Sequence, residues 1–327
     1  MSPRKRTASL SLDLDNQWSY MKASGVGGWE AYPSYFDRVV PRILDTLARH
    51  DLKITFFIVG RDAAAPENSA SLRELARDHE IGNHSFHHEP SLSRLSREDA
   101  EAELRRAGEA IAEATGIQPR GFRGPSFALS TALLEGLLAL GYDYDASTFP
   151  TFLGPLARRY HFKTARLSPE QIAERAQVFG TLADGLRPLK PYRWQLQNGA
   201  LLEMPVTTIP GIRAPFHLTY LSFLAQMSRR AARLYFRTAL VACRISGVEP
   251  SLLLHPLDFI GGDDLGVLKE FPGMALTTAE KLDLIDEVLS EYVRNFDVVP
   301  MGEHARRAQS GPMLMTQCPA FAAVSPR

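Results

Sequence analysis

The chain has 327 residues, 45% of them apolar, which is enough to bury one large core. Lysine plus arginine equals aspartate plus glutamate at 37 each, so there is no electrostatic case for nucleic acid and none is expected as a partner. Cys243 and Cys318 lie far apart and imply no disulfide framework, and no run reaches membrane-spanning length. The basic start Met1–Arg6 leads into a patterned strand rather than a continuous apolar segment, so no signal peptide is expected and the cytoplasm is the default location.

Leu10, Leu12 and Leu14 share one face of a period-two strand, and Ser9, Ser11, Asp13 and Asp15 share the other. Both carboxylates therefore point the same way near the strand's end, as at the mouth of a parallel α/β sheet; an edge strand with a solvated face is the bland alternative. A helix is expected over 34–50 and a buried strand over 53–59, followed by a helix over 69–78 and strand entry at 79–83. That order sets His84 and His88 on a strand-end loop on the same rim as Asp15. Nine histidines would give on the order of 0.25 His-x-x-x-His pairs by composition alone, so the setting carries more weight than the motif. Carboxylates and imidazoles together suit a divalent cation. Further helices are expected over 96–115, 131–140 and 278–296, with strands over 141–146, 200–206 and 251–255, and this repeated order argues for a parallel sheet.

Four segments in this order resemble the polysaccharide deacetylase (NodB-homology) family: Asp13-Leu14-Asp15, His84-Ser85-Phe86-His87-His88, Arg123-Gly124-Pro125-Ser126-Phe127 and Leu253-Leu254-His255. The resemblance covers roughly residues 8–301 and implies an α/β fold, a distorted, incomplete (β/α) barrel. It further implies an enzyme, a metal-dependent amide hydrolase acting on non-peptide carbon–nitrogen bonds. Asp15, His84 and His88 would bind one divalent metal, zinc first, with cobalt, nickel or manganese as alternatives. Asp13 would be the base, Arg123 its partner, and His255 the acid that protonates the leaving amine. His87 reads as a surface or supporting residue. The family usually has an Asp-rich stretch ending in Trp; here Leu202-Glu203-Met204-Pro205-Val206 stands about where it belongs, so Glu203, or else Asp258, would orient His255, with Glu203 preferred.

The spaced aspartates are like those of an allantoinase-related branch, so two functions are weighed. One is removal of an N-acetyl or similar acyl group from an amino sugar, lipid-linked or not, in cell-surface glycan or glycolipid synthesis. The other is hydrolysis of a small non-sugar amide. A catalytically silent carbohydrate-binding protein is a third reading, disfavoured by having both Asp13 and His255. Trp18, Trp29, Phe127 and Trp194 are candidate sugar platforms.

One barrel domain is expected over residues 1–308, with insertions near 150–195 and 211–247, and a loosely held tail over 309–327. No Asp or Glu occurs from Met204 to Val248, where Arg213, Arg229, Arg230, Arg233, Arg237 and Arg244 interleave with aromatic and aliphatic residues. Such a helix either meets an anionic membrane, at its inner face, or packs on the barrel with its arginines reaching to water. The oligomeric state is not legible in the sequence.

Overall fold

The computed structural model describes residues 5–89, 91–165, 167–175, 180–269 and 271–321, without the side chains of residues 160, 161, 164 and 174. Strands β1 (Thr7–Leu14), β2 (Thr55–Ile58), β3 (Glu80–Asn83), β4 (Gly121–Phe122) and β5 (Tyr144–Asp145) are followed by the hairpin β6 (Tyr192–Leu196) and β7 (Gly199–Glu203). Strands β8 (Ser251–Leu254), β9 (Asp297–Val299) and β10 (Met315–Gln317) complete the set. The sheet order is β10-β6-β7-β5-β4-β3-β2-β1-β8, with β9 on β1, and every pairing is parallel except β6 with β7.

The two ends of that order do not pair, so the sheet is an open, distorted barrel. Irregular chain spans part of the gap. Past Glu203, Met204 N–H donates to the Asp145 carbonyl (2.8 Å), Val206 to Thr148 (2.9 Å) and Thr207 to Ser251 (3.2 Å), linking the β5 side to β8. Pro205 has no N–H to give, which is why the expected strand over 200–206 stops at Glu203.

β1 is flanked by β2 and β8 and is not an edge strand. Leu10, Leu12 and Leu14 are fully buried in the main apolar core, among residues of helices Phe36–Arg49 and Thr278–Asn295. Ser9, Ser11 and Asp13, on the other face, are buried too, and form a polar barrel interior. Its contacts include Ser9 Oγ with His304 Nδ1 (3.0 Å).

Most expected helices form, for reasons visible locally. Ser96 caps Arg97–Thr115 by accepting from Asp99 N–H, and Gly116 ends it at φ 76°. Thr277 and Glu280 make a reciprocal capping box on Thr278–Asn295. The 150–195 insertion carries helices Gly154–Thr164 and Pro169–Glu174, a short helix Leu182–Leu186 and the start of the hairpin; the 211–247 insertion carries helices Leu218–Met227 and Arg229–Ser246. Among the described residues no helix is long and apolar enough to cross a membrane.

Two expectations need correction. Part of the expected loose tail is strand β10, in register with Tyr192–Trp194, and Phe321 packs on the Trp194 ring; residues 322–327 lie outside the described set. The arginine-rich helix turns Arg229, Arg233 and Arg237 onto the acidic helix beside it: Arg229 pairs with Glu287 (2.9 Å), Arg233 with Glu287 (3.1 Å) and Arg237 with Glu291 (3.2 Å). Their acids lie some fifty residues along the chain, so an acid-free segment is not an unneutralised one.

Candidate metal centre and active site

Asp15 leaves the carboxyl end of β1, and the chain turns at once into helix Gln17–Ala23, capped by the Asn16 side chain. The loop after β3 carries His84 and His88 with two non-glycine residues at positive φ, Ser85 at 61° and His88 at 49°. Such backbone persists only where neighbours fix it. Here Asn83 Oδ1 accepts Ser85 N–H (2.8 Å), Ser85 Oγ accepts His88 N–H (3.2 Å), and the Ser85 and Phe86 carbonyls accept from Gly60 and Arg61 (2.8 and 3.0 Å).

The expected ligands converge. Asp15 Oδ1 lies 3.5 Å from His84 Nε2 and 3.0 Å from His88 Nε2, and one donor atom from each of the three residues falls within 4.8 Å of the others. Ligands about 2.0–2.1 Å from a tetrahedral zinc stand roughly 3.3–3.5 Å apart, so the spacing suits one ion. Two further observations agree. Asp15 Oδ1 is a buried oxygen without a hydrogen-bond donor. His84 Nδ1 contacts the Arg123 carbonyl at 2.6 Å; a carbonyl only accepts, so Nδ1 carries the hydrogen and Nε2 offers its lone pair toward Asp15. Burial would raise the Asp15 carboxyl, but the neighbouring imidazoles, His88 above all, outweigh it and hold it at about 2.

Asp13 does not join the cluster. Its Oδ1 accepts from Arg123 at 2.7 Å, and this fully buried guanidinium also donates to Ser11 Oγ (2.9 Å) and the Ala146 carbonyl (3.0 Å) while lying over the Phe57 ring. The expected Asp13–Arg123 pair is thus present. His255, just past β8, shares with Asp13, Asp15, His84 and His88 a cavity of about 250 Å³ walled by Phe127, Phe149, Tyr220, Leu257 and Phe271. His87 instead points away, with Nδ1 2.7 Å from Glu103.

Glu203 is not beside His255. It pairs in register with Asp145 across β7 and β5, accepts from Trp194 Nε1 (2.7 Å) and Thr148 N–H (2.9 Å), and is fully buried. Burial and the Asp145 charge push its carboxyl well above the usual range, and its bonds serve the sheet rather than the cavity. The residues beside His255 are instead Asp258, the other candidate, and Thr219, which the sequence reading missed. Thr219 Oγ1 stands 3.2 Å from His255 Nδ1 and 3.4 Å from Asp258 Oδ1, while Asp258 Oδ2 accepts the His255 backbone N–H at 2.7 Å. Thr219 lies on helix Leu218–Met227, 36 residues from His255, and no motif marks it.

The aromatic platforms divide as well. Phe127 lines the cavity and stacks on Phe149, with ring centres 4.4 Å apart. Trp18 is buried edge-on to His88, Trp29 packs on Trp18, and Trp194 is spent on Glu203 at the far side of the sheet. His217, also missed, lines the cavity 6.1 Å from the His255 ring centre, and its burial keeps it neutral.

Residues 28–144 match the polysaccharide deacetylase family. The chain is 33% identical over 109 residues to the peptidoglycan-N-acetylglucosamine deacetylase PgdA of Listeria monocytogenes, covering 33% of this chain and 23% of that one. It is 32% identical over 133 residues to a chitooligosaccharide deacetylase of Sinorhizobium fredii, covering 37% and 60%. The match thus spans under a quarter of the length of the first of these relatives. Among solved structures, a suspected polysaccharide deacetylase of Mycobacterium smegmatis shares the fold, with a TM-score of 0.62 at 20% identity over 99% of this chain and 96% of that one.

Proposed function

We propose that this chain, whose residues 28–144 match the polysaccharide deacetylase family, hydrolyses the acetamide of an N-acetylated amino sugar with the help of one divalent metal, zinc first among the candidates. The observation that carries the reading is the division of labour in one cavity: three residues converge on a point, while a carboxylate and an imidazole lie beside them without joining. Asp15, His84 and His88 would hold the ion, which when bound polarises a carbonyl and lowers the pKa of water from about 15.7 toward 7.

The chain's own residues supply the proton path. Asp13, paired with Arg123, takes a proton from the attacking water at Oδ1 or Oδ2. His255 presents Nε2 to the cavity because Nδ1 is engaged by Thr219, and from Nε2 it protonates the departing amine. Leu257, Phe271 and the stacked Phe127–Phe149 pair give the acetyl methyl and the sugar face an apolar wall. A pure carbohydrate binder has no use for a base and an acid around one metal site. A lipid-linked substrate in cell-surface glycan synthesis, met at the inner face of the membrane, belongs to the same proposal.

The test is release of acetate from N-acetylglucosamine oligomers by metal-loaded protein, with a ureide panel assayed for ammonia alongside. Acetate release that stops on chelation supports the reading. Ammonia from ureides with no acetate from any sugar would replace it by the small-amide alternative.

A further inference from the structure

Both helices that wall the cavity carry exposed large apolar side chains with cations nearby. Gly154 and Ala157 of helix Gly154–Thr164 line the cavity, while Leu156, 64% exposed, shares the opposite face with exposed Arg159 and Lys163 at spacings of three and seven. Thr219 and Tyr220 of helix Leu218–Met227 line it too, and Phe223 and Met227, further along the same face, are 45% and 71% exposed, with exposed Arg230 just beyond. Between them, Leu182 and Leu186 are exposed on a short helix joined to the first by the Phe152 ring, which lies against Gly185.

Charge on these faces is one-sided. Residues 151–165 and 204–248 contain no Asp or Glu, and Asp184, in the short helix, is paired with Arg187 at 2.7 Å. The rim of helices around the cavity therefore presents exposed large apolar side chains together with cations, the kind of surface that marks an interaction site, and an apolar and anionic partner suits it. A bilayer surface has both properties: acyl chains below, phosphates above.

We infer that this rim docks on an anionic lipid surface, so that the acetamido group reaching the metal site belongs to a lipid-anchored molecule; the substrate half of this inference rests on the deacetylase reading. The arginines that pair with the acidic helix, Arg229, Arg233 and Arg237, are not the docking groups; Leu156, Phe223 and Met227 are, with Arg159, Lys163 and Arg230.

The experiment uses the full chain, metal-loaded, sedimented with vesicles of phosphatidylglycerol and phosphatidylcholine or of phosphatidylcholine alone. Wild type is expected to pellet with the anionic vesicles. The triple variant Leu156→Ser, Phe223→Ser, Met227→Ser is expected to bind about tenfold more weakly or less, with an unchanged melting temperature. Acetate release is compared for an acetamido glycolipid in those vesicles and for a soluble oligomer; the lipid-anchored substrate should be favoured by wild type and the preference lost in the triple variant. Wild type that stays in the supernatant overturns the inference, and if it is also a dimer that the triple variant dissolves, the rim is a self-interface. Vesicle binding that depends on these residues but brings no acetate from either substrate upholds the docking surface and sinks the deacetylase reading instead.

Discussion

Replacing Arg123 by Met keeps a long apolar stem over Phe57 and removes every guanidinium bond. Asp13 then stays buried without its cation, and the Ala146 carbonyl and Ser11 hydroxyl each lose a donor. Breaking a buried ion pair from one side costs about 3–5 kcal/mol because the remaining charge is uncompensated, and a stranded buried carbonyl lies within about 1–3 kcal/mol. These overlap, so a loss of about 3–5 kcal/mol is expected, a large part of a typical folding stability of about 5–15 kcal/mol. Urea unfolding at pH 7 measures it. The diagnostic step is Asp13→Asn in the Arg123→Met background, which removes the stranded charge and should recover a substantial part of the loss. A cost below about 1 kcal/mol, the range of an exposed pair, or a second substitution that only adds to the first, would refute the reasoning.

Asp13→Asn and His255→Ala alone should each keep the metal while lowering turnover by about 10²–10⁴-fold, as measured by acetate release against elemental analysis. Glu203 has a folded pKa raised above its unfolded 4.5, so its contribution to stability is present below that value and lost as pH rises through the folded pKa. Glu203→Gln cannot titrate, so its stability relative to wild type should climb with pH in parallel urea melts; a constant difference would show that Glu203 is ionised in the fold. Lys281, buried and donating to the Leu257 carbonyl (2.6 Å), has its pKa lowered by burial to about 8. The unfolded chain then binds more protons between about pH 8 and 10.5, so wild type should gain stability relative to Lys281→Met across that window, and a flat difference would contradict it.

The candidate constellation was legible because each member ends a strand or sits in a tight motif. Period two alone placed Asp13 and Asp15 on one side of β1, and the His-x-x-x-His spacing survives folding because it lies within one loop. Arg123 and His255 also follow strands whose parallel pairing gathers their ends on one rim. What failed depends on partners distant in sequence. Glu203 sits where the motif order placed an acid, but β7 turns it against Asp145, a pairing that becomes visible only once the β6–β7 hairpin is recognised. The hairpin turns at Gln197–Asn198, with Gly199 opening the return strand, and that local Asn-Gly step is its signal in the sequence. Thr219 carries no pattern, since one hydroxyl on an amphipathic helix looks like any other. The arginines of helix Arg229–Ser246 read as unpaired because their acids lie on another helix.

The central claim is that Asp15, His84 and His88 hold one divalent ion and that Asp13 does not. Zinc titration followed by calorimetry, with stoichiometry checked by elemental analysis, tests it on wild type, Asp15→Ala, His84→Ala, His88→Ala and Asp13→Asn. One zinc per chain is expected in wild type and Asp13→Asn, and none in the three ligand variants, all five having similar circular dichroism spectra. Zinc retained by His84→Ala and His88→Ala, or lost by Asp13→Asn, would contradict the assignment.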